Sequence, residues 1–294
     1  MIKLLQLMFQ GLSLGMVYSL IALGFVLVFK GTGVFNFAHG DFVMGAAYIV
    51  VAVSTSQPWG VAVLVALAVL VALALVVERL VLRKMVGEPL FAVVMVTLGL
   101  AIMVRAVVTM IWGYNDKGFA DPIGPGVWEP VNNLVLPHTG LWTIGVSVVL
   151  LTALWFFYQR TPAGLALRAT AAHQEAAMAQ GIDVRRMFAL SWAIAGVLAT
   201  AGGIFLGAFP RQVGLQMGFI ALNALPAIII GGFDSLQGAV IGGVTVGMLQ
   251  VLASGYLADY GGGRLQDVAP YVVMLLVLLV RPYGLFGTRE IERV

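Results

Sequence analysis

Long apolar runs dominate the chain, and short clusters of glycine, proline and charge break them. A membrane-crossing helix needs about 20 mainly apolar residues. The runs predict helical spans at about Leu4–Phe29, Phe42–Val53, Gly60–Val77, Pro89–Trp112, Leu141–Tyr158, Met187–Phe209, Gly218–Gly231, Leu236–Tyr256 and Val268–Val280. The first run is too long for a signal-peptide core and no A-x-A site closes it, so it is expected to be retained as a span. Pro226 and the paired glycines mark the seventh and eighth segments as either one broken helix or a re-entrant hairpin.

Composition agrees with the pattern. Of 294 residues, 61% are hydrophobic and 10% charged, and the mean hydropathy is +1.02. Soluble domains are about half apolar and roughly a quarter charged. Disorder, a coiled coil and an ordinary soluble enzyme are excluded. The expected fold is an all-α polytopic membrane protein of about 8–9 transmembrane helices, some of them short, Gly-rich or broken, and 1–294 form a single transmembrane domain. There is no cysteine, which removes disulfides and thiolate metal sites. No basic patch interleaves with aromatics, so no nucleic-acid partner is expected. The three histidines show no H-E-x-x-H spacing, and no metal site, catalytic residue or cofactor is expected.

Charge orients the spans. Arg79, Arg83 and Lys84 share one loop, and Arg160, Arg168, Arg185 and Arg186 share another. Arg281, Arg289 and Arg293 follow the last span. The positive-inside rule makes these regions cytoplasmic. The stretch 113–138 holds Lys117 against Asp116, Asp121 and Glu129, which places it outside. Nine spans then put the N-terminus outside, and eight put it inside.

Glycine supplies 36 residues, with small-xxx-small pairs at Gly11/Gly15, Gly203/Gly207, Gly238/Gly242 and Gly243/Gly247. Spacing of four places both glycines on one helix face and lets backbones approach. Close packing is the simpler reading, and helices that slide or rock are the functional one. Gly231-Gly232 and Gly242-Gly243 also mark candidate breaks within the membrane, where exposed backbone can line a solute cavity.

The block Gly31–Asp41 sets Asn36, His39 and Asp41 between two apolar runs. Polar groups at membrane depth are either structural or functional. A metal or catalytic cluster lacks companions. A proton relay through His39 and Asp41 is open. The favoured reading is a helix start, with Asn36 as cap and His39 and Asp41 in the first turns, where Asp suits the positive end of the helix dipole. Contact with a transport path remains compatible with it.

Between Arg160 and Arg186 the spacing predicts a helix that starts at Pro162 and ends at Gly181. Leu165, Ala169, Ala172, Ala176 and Ala179 fall on one stripe, with Thr170 and Gln174 on the opposite side. A helix lying on lipid prefers bulky apolar residues and several basic ones opposite. This stripe is mostly alanine and Arg168 is the one basic residue within the helix, which suits a groove in a partner protein.

Several blocks together resemble the LivH-type permease of branched-chain amino acid ABC importers. They are Gly11-x-x-x-Gly15-x-x-Tyr18-Ser19-Leu20-Ile21-Ala22-Leu23-Gly24, the hexapeptide Asn36-Phe37-Ala38-His39-Gly40-Asp41, and Glu78-Arg79 followed by Arg83. Further along come Gly164-x-Ala166-x-Arg168-Ala169, Glu175-Ala176-Ala177-x-x-x-Gly181-Ile182, Gly231-Gly232-x-x-Ser235-x-x-Gly238-Ala239 and Arg281-Pro282-x-Gly284-Leu285-x-Gly287. The resemblance runs from Gly11 to the C-terminus and is weakest at about Tyr114–His138.

The resemblance implies a bacterial inner-membrane subunit, itself embedded in the lipid bilayer, that pairs with a second homologous permease, two ATP-binding cassette subunits and a periplasmic substrate-binding protein. The chain itself has no G-x-x-x-x-G-K-[ST] loop for ATP. Gly164, Arg168, Ala169, Glu175 and Gly181 are the residues it implies for ATPase coupling, within a cytoplasmic loop of about 160–186. Substrates would be branched-chain or other hydrophobic amino acids. Members of the same family that import urea, short amides or small organic acids supply the alternative. A proton-coupled transporter or channel working alone is the competitor from a different class, with His39/Asp41 as its best support. Arg105, the charge nearest to mid-span, is expected toward the outer end of its helix or facing a polar interior, because a charge at a helix centre costs about 3 kcal/mol.

Overall fold

Nothing between Ile2 and Thr32 breaks a helix, and the computed structural model shows one continuous helix there, α1 (Ile2–Thr32). The structure describes residues 2–119, 126–130, 134–208, 212–258 and 265–287. Arg289, Arg293, Asp121 and Phe209 lie outside the described residues. The chain continues through α2 (His39–Ser54), α3 (Trp59–Leu80), a 3-10 turn (Leu82–Met85) and α4 (Leu90–Trp112). Next come β1 (Lys117–Gly118), β2 (Val127–Trp128), β3 (Leu136–Pro137) and α5 (His138–Arg160). Two short helices follow, α6 (Pro162–Ala172) and α7 (Gln174–Ala179), and then α8 (Val184–Ala208) and β4 (Gln212–Val213). The last elements are α9 (Met217–Leu222), α10 (Ala224–Gly231), α11 (Leu236–Leu257) and α12 (Leu265–Val280).

Six helices are long and apolar enough to cross a membrane, and three shorter apolar segments, His39–Ser54, Met217–Gly231 and Leu265–Val280, accompany them among the described residues. All nine expected segments are therefore helical. The protein is a polytopic, multi-pass α-helical membrane protein. Side chains such as Met110 (83% exposed) and Leu279 (82%) stand clear of the protein, as lipid-facing positions do.

The chain divides into two compact units. One comprises Leu27–Pro122 and Val148–Leu222. Its centre is α2, of which only a few residues keep any exposure, with α3, α4, α8 and α9 packed on it. α2 can be enclosed because small residues let its neighbours approach. A Cβ on Gly203 of α8 would collide with the Val43 carbonyl of α2. Within this unit β1 pairs antiparallel with β4, Lys117 opposite Val213.

The other unit comprises Met1–Val26, Ile123–Ser147 and Asn223–Val294. Here β2 pairs antiparallel with β3, Val127 opposite Pro137. α10 and α11 form a tight pair, and α12 packs on both. The hairpin turns at Gly232, whose φ of +106° suits glycine. Ser235 then starts α11, its Oγ accepting from the Gly238 N–H at 3.0 Å.

Two expectations about breaks are corrected or refined. The Gly231-Gly232 break is present at the end of α10. Gly242-Gly243 is no break: both lie inside the continuous α11. A Cβ on Gly242 would strike the Ala227 carbonyl of α10, and one on Gly243 would strike Ser19 of α1. The pair of glycines clears two adjacent faces of one straight helix for two neighbours. The seventh span is a broken helix, interrupted at Asn223 between α9 and α10.

Candidate functional site

The polar block after α1 forms a short non-helical passage. Thr32 donates its hydroxyl to the Val28 carbonyl and accepts the Val34 N–H, and Gly33 turns the chain at φ +72°. Asn36 Oδ1 accepts from the Ala38 N–H at 3.1 Å, and its carbonyl accepts from the His39 N–H. This corrects the expected capping role. α2 begins at His39 behind Ala38, without a side-chain cap. Asn36 sits too far upstream to reach the second or third helical N–H, and it stabilises the turn instead. His39 and Asp41 do fall in the first turn, as expected, and both are buried. Two positions apart on a helix they do not face each other.

Asp41 faces Arg105 of α4. Both Nε (3.0 Å) and Nη2 (2.8 Å) of Arg105 donate to the same oxygen, Asp41 Oδ1. The guanidinium also lies 4.0 Å from the ring centre of Phe219 on α9, a cation–π contact. Gly218 beside it is required: a Cβ there would stand 2.9 Å from Asp41 Oδ1.

The depth of this cluster follows from α4. At 1.5 Å per residue, Arg105 lies about 22 Å from Leu90 and about 10 Å from Trp112. Phe35, in the passage before α2, lies beside a lower level of α4, its carbonyl accepting from Thr97 Oγ1 at 3.5 Å. Tyr48 lies higher, its ring 5.7 Å from that of Trp112. α2 therefore starts partway along α4, with the ion pair in the half of α4 nearer Trp112. Of the two settings expected for Arg105, the outer end of its helix or a polar interior, the contact with Asp41 supplies the polar neighbour.

The second candidate region is the segment 160–186. Thr161 Oγ1 accepts from the Gly164 N–H, with Pro162 in the first turn, so the helix starts where expected. It does not continue to Gly181. His173, extended at φ −160° and ψ 107°, splits it into α6 and α7, and its Nδ1 accepts from the Ala176 N–H at 3.3 Å. α7 ends in a Schellman turn: Gly181 (φ +82°) donates to the Met178 carbonyl and Ile182 to the Ala177 carbonyl.

The two sides of the predicted stripe are nonetheless separated. Leu165, Ala172, Ala176 and Ala179 are exposed and Ala169 partly so, while Thr170 is buried and Gln174 half-buried. The alanine stripe looks outward and the polar side packs inward. Ala177, Val184 and Phe188 form the small core beneath, with Val86, Ala169 and Ile182 against it. Glu175 is exposed on the outer side. Arg168 turns back, Nη1 donating to Gln159 Oε1 at 3.0 Å. Gly164 lies against the carbonyls of Phe157 and Tyr158, where no Cβ would fit.

Residues 7–278 match the family described as branched-chain amino acid transport system / permease component. The chain belongs to that family. Among its relatives, the high-affinity branched-chain amino acid transport system permease protein LivH of Escherichia coli (strain K12) is 29% identical over 99% of this chain and 97% of its own length. BraD of Pseudomonas aeruginosa, similarly described, is 28% identical over 99% of this chain and 98% of its own. A LivH described as a probable branched-chain amino acid transport permease protein, from Methanocaldococcus jannaschii, is 28% identical over 91% and 88%.

Within this permease-family chain, sequence reasoning named Asp41 but did not join Arg105 to it, and it missed Gly218 beside Asp41 and Phe219 under the Arg105 guanidinium. One signal was present. Asp41 and Arg105 are the two opposite charges set within apolar segments of the same region, and intramembrane charges pair. Phe219 carried no signal in the sequence. Asn36 and His39 lie in the passage and first turn leading to Asp41, whereas Gly164–Gly181 belong to the separate α6–α7 platform.

Proposed function

We propose that the chain is the transmembrane permease subunit of an ATP-driven importer and forms part of the path for branched-chain or other hydrophobic amino acids. The observation that carries this is the family match over residues 7–278, joined by relatives of nearly equal length whose names state that transport. The chain itself is a non-catalytic subunit of the bacterial inner membrane. ATP is hydrolysed by two cassette subunits, the solute arrives on a periplasmic binding protein, and a second homologous permease completes the path.

The α6–α7 platform suits the contact with a cassette subunit. Its outward face is small and apolar, with Leu165 60% and Met178 54% exposed, and Glu175 stands among these residues. Its inner side packs on the start of α8 and on Val86, in the turn before α4. A push on the platform reaches both helices without needing flexible linkers. Alternating access follows when that push tilts helices of the permease.

The test is mild-detergent purification of the tagged chain from native membranes, with identification of what accompanies it, followed by uptake into vesicles. Two cassette subunits, a second permease and ATP-dependent uptake of leucine, isoleucine or valine are expected. A chain that purifies alone and moves solute along a pH gradient without ATP overturns the reading.

A further inference from the structure

Among the described residues, two carboxylate–guanidinium pairs have a buried carboxylate, and they are built differently. Arg83 meets Glu78 fork to fork, Nε on Oε1 and Nη2 on Oε2, both at 2.8 Å. That geometry uses both carboxylate oxygens and suits a pair whose task is mutual neutralisation. Arg105 places Nε and Nη2 on Oδ1 of Asp41 alone. Asp41 Oδ2 and Arg105 Nη1 make no hydrogen bond among the described residues. A pair at membrane depth thus retains one free acceptor beside one free donor.

We propose that Asp41 and Arg105 form a zwitterion-binding point on the solute path, the amino acid's ammonium on Asp41 Oδ2 and its carboxylate on Arg105 Nη1. The inference rests on the permease reading and adds the residues that recognise the solute's charged ends. Arg105 keeps 26% of its side chain exposed, against 4% for Asp41, so the guanidinium is the part a solute reaches first. An exposed apolar surface adjoins it. Phe219, half exposed, lies under the guanidinium, and Ile102, 69% exposed, is one helical turn below Arg105. An aliphatic side chain would rest there while its charged ends sit on the pair.

The setting explains why the charges are affordable. An uncompensated charge in a span is costly. Here each charge neutralises the other while the site is empty, and a zwitterion adds one charge of each sign without changing the total. A solute lacking either charge would leave one of the site's groups uncompensated. The close approach of Gly40 to the Gly218 carbonyl and of Gly218 to Asp41 fixes the carboxylate against α9, so the geometry is built before solute arrives.

The experiment is photolabelling of the purified permease–ATPase complex in lipid nanodiscs with a diazirine analogue of leucine, with ATP hydrolysis stimulated by leucine-loaded binding protein measured on the same sample. Label is expected on peptides carrying Ile102–Thr109 and Phe219. Excess leucine should compete it away, and leucinamide or 4-methylpentanoate, each lacking one charge, should compete at least tenfold less well. Labelling should fall at least tenfold in Arg105→Gln and in Asp41→Asn. Label elsewhere, no label, or equal competition by leucinamide in a complex with stimulated hydrolysis overturns the site and leaves the permease reading standing. These outcomes are read on the unaltered protein, so a variant that fails to fold does not decide them. A wild-type complex with no leucine-stimulated hydrolysis overturns the permease reading and the site with it.

Discussion

Arg83 grips Glu78 with both arms of its guanidinium, and the two residues are unequally covered: the Glu78 side chain is 2% exposed and that of Arg83 30%. The hydrogen bonds that Arg83 donates to Glu78 raise its pKa above the ordinary value, so Arg83 stays cationic at every working pH. The asymmetry in burial orders the variants. Arg83→Ala strands a buried carboxylate, whereas Glu78→Ala releases a guanidinium that water can reach. Thermal unfolding in detergent should show the larger loss for Arg83→Ala, on the order of 1–3 kcal/mol. The double variant should lose less than the sum of the two, because neither charge is then left alone. Equal losses, or simple addition, would show that the pair is not stabilising as described.

Backbone contact between α1 and α11 makes a second prediction. A Cβ on Gly247 would run into the backbone of Gly15, so Gly247→Ala should overpack the seam at a cost of about 1–3 kcal/mol. Gly99 of α4 is the control. A Cβ there meets nothing within 4 Å, and Gly99→Ala should be neutral or stabilising by up to about 1 kcal/mol through helix propensity. Size-exclusion profiles and melting curves of the two variants check the contrast. A destabilised Gly99→Ala beside an unaffected Gly247→Ala would refute it.

Much of this architecture was legible in the sequence because bilayer-length apolar runs need no tertiary information. Leu90–Trp112 differs from the expected fourth span by a single residue. The misses share a cause. Gly242-Gly243 looks the same in sequence whether it breaks a helix or clears space for Ala227 and Ser19, and only the neighbours decide. His173 ends α6 with neither proline nor glycine, and a 3.6-residue periodicity passes through it unbroken. Asp41 and Arg105 are 64 positions apart, and nothing local ties one to the other. The outward direction of the alanine stripe was legible, since it depends only on which side carries groups able to pack and bond within the protein.

Gly181 predicts a local effect rather than a global one. Its φ of +82° lies in the left-handed region, so Gly181→Ala should cost about 1–2 kcal/mol and loosen the Schellman turn that ends α7. Hydrogen exchange should rise at the Gly181 and Ile182 amides, whose bonds define that turn, with α2 and α11 unchanged. Uniformly faster exchange through the chain would mean that the turn is part of the global fold instead. Coupled ATP hydrolysis should fall in the same variant, since the platform's contact surface depends on α7 holding its angle to α8.

Glu175 and Arg168 separate contact from support within that platform. Glu175 is exposed on the outer face, so Glu175→Lys should leave the melting temperature of the purified chain unchanged and lower substrate-stimulated ATP hydrolysis at least severalfold by reversing a charge at the cassette contact. Arg168 is bound inward to Gln159 through its side-chain amide and its carbonyl, at 3.0 and 3.4 Å. Arg168→Ala should therefore loosen the α5–α6 corner, by about 1 kcal/mol for partly exposed hydrogen bonds, and lower hydrolysis only as a consequence. Gln159→Ala should then reproduce part of the Arg168→Ala loss and none of the Glu175→Lys phenotype. Stimulated hydrolysis that stays at the wild-type level in both Glu175→Lys and Arg168→Ala would remove the platform from the coupling route.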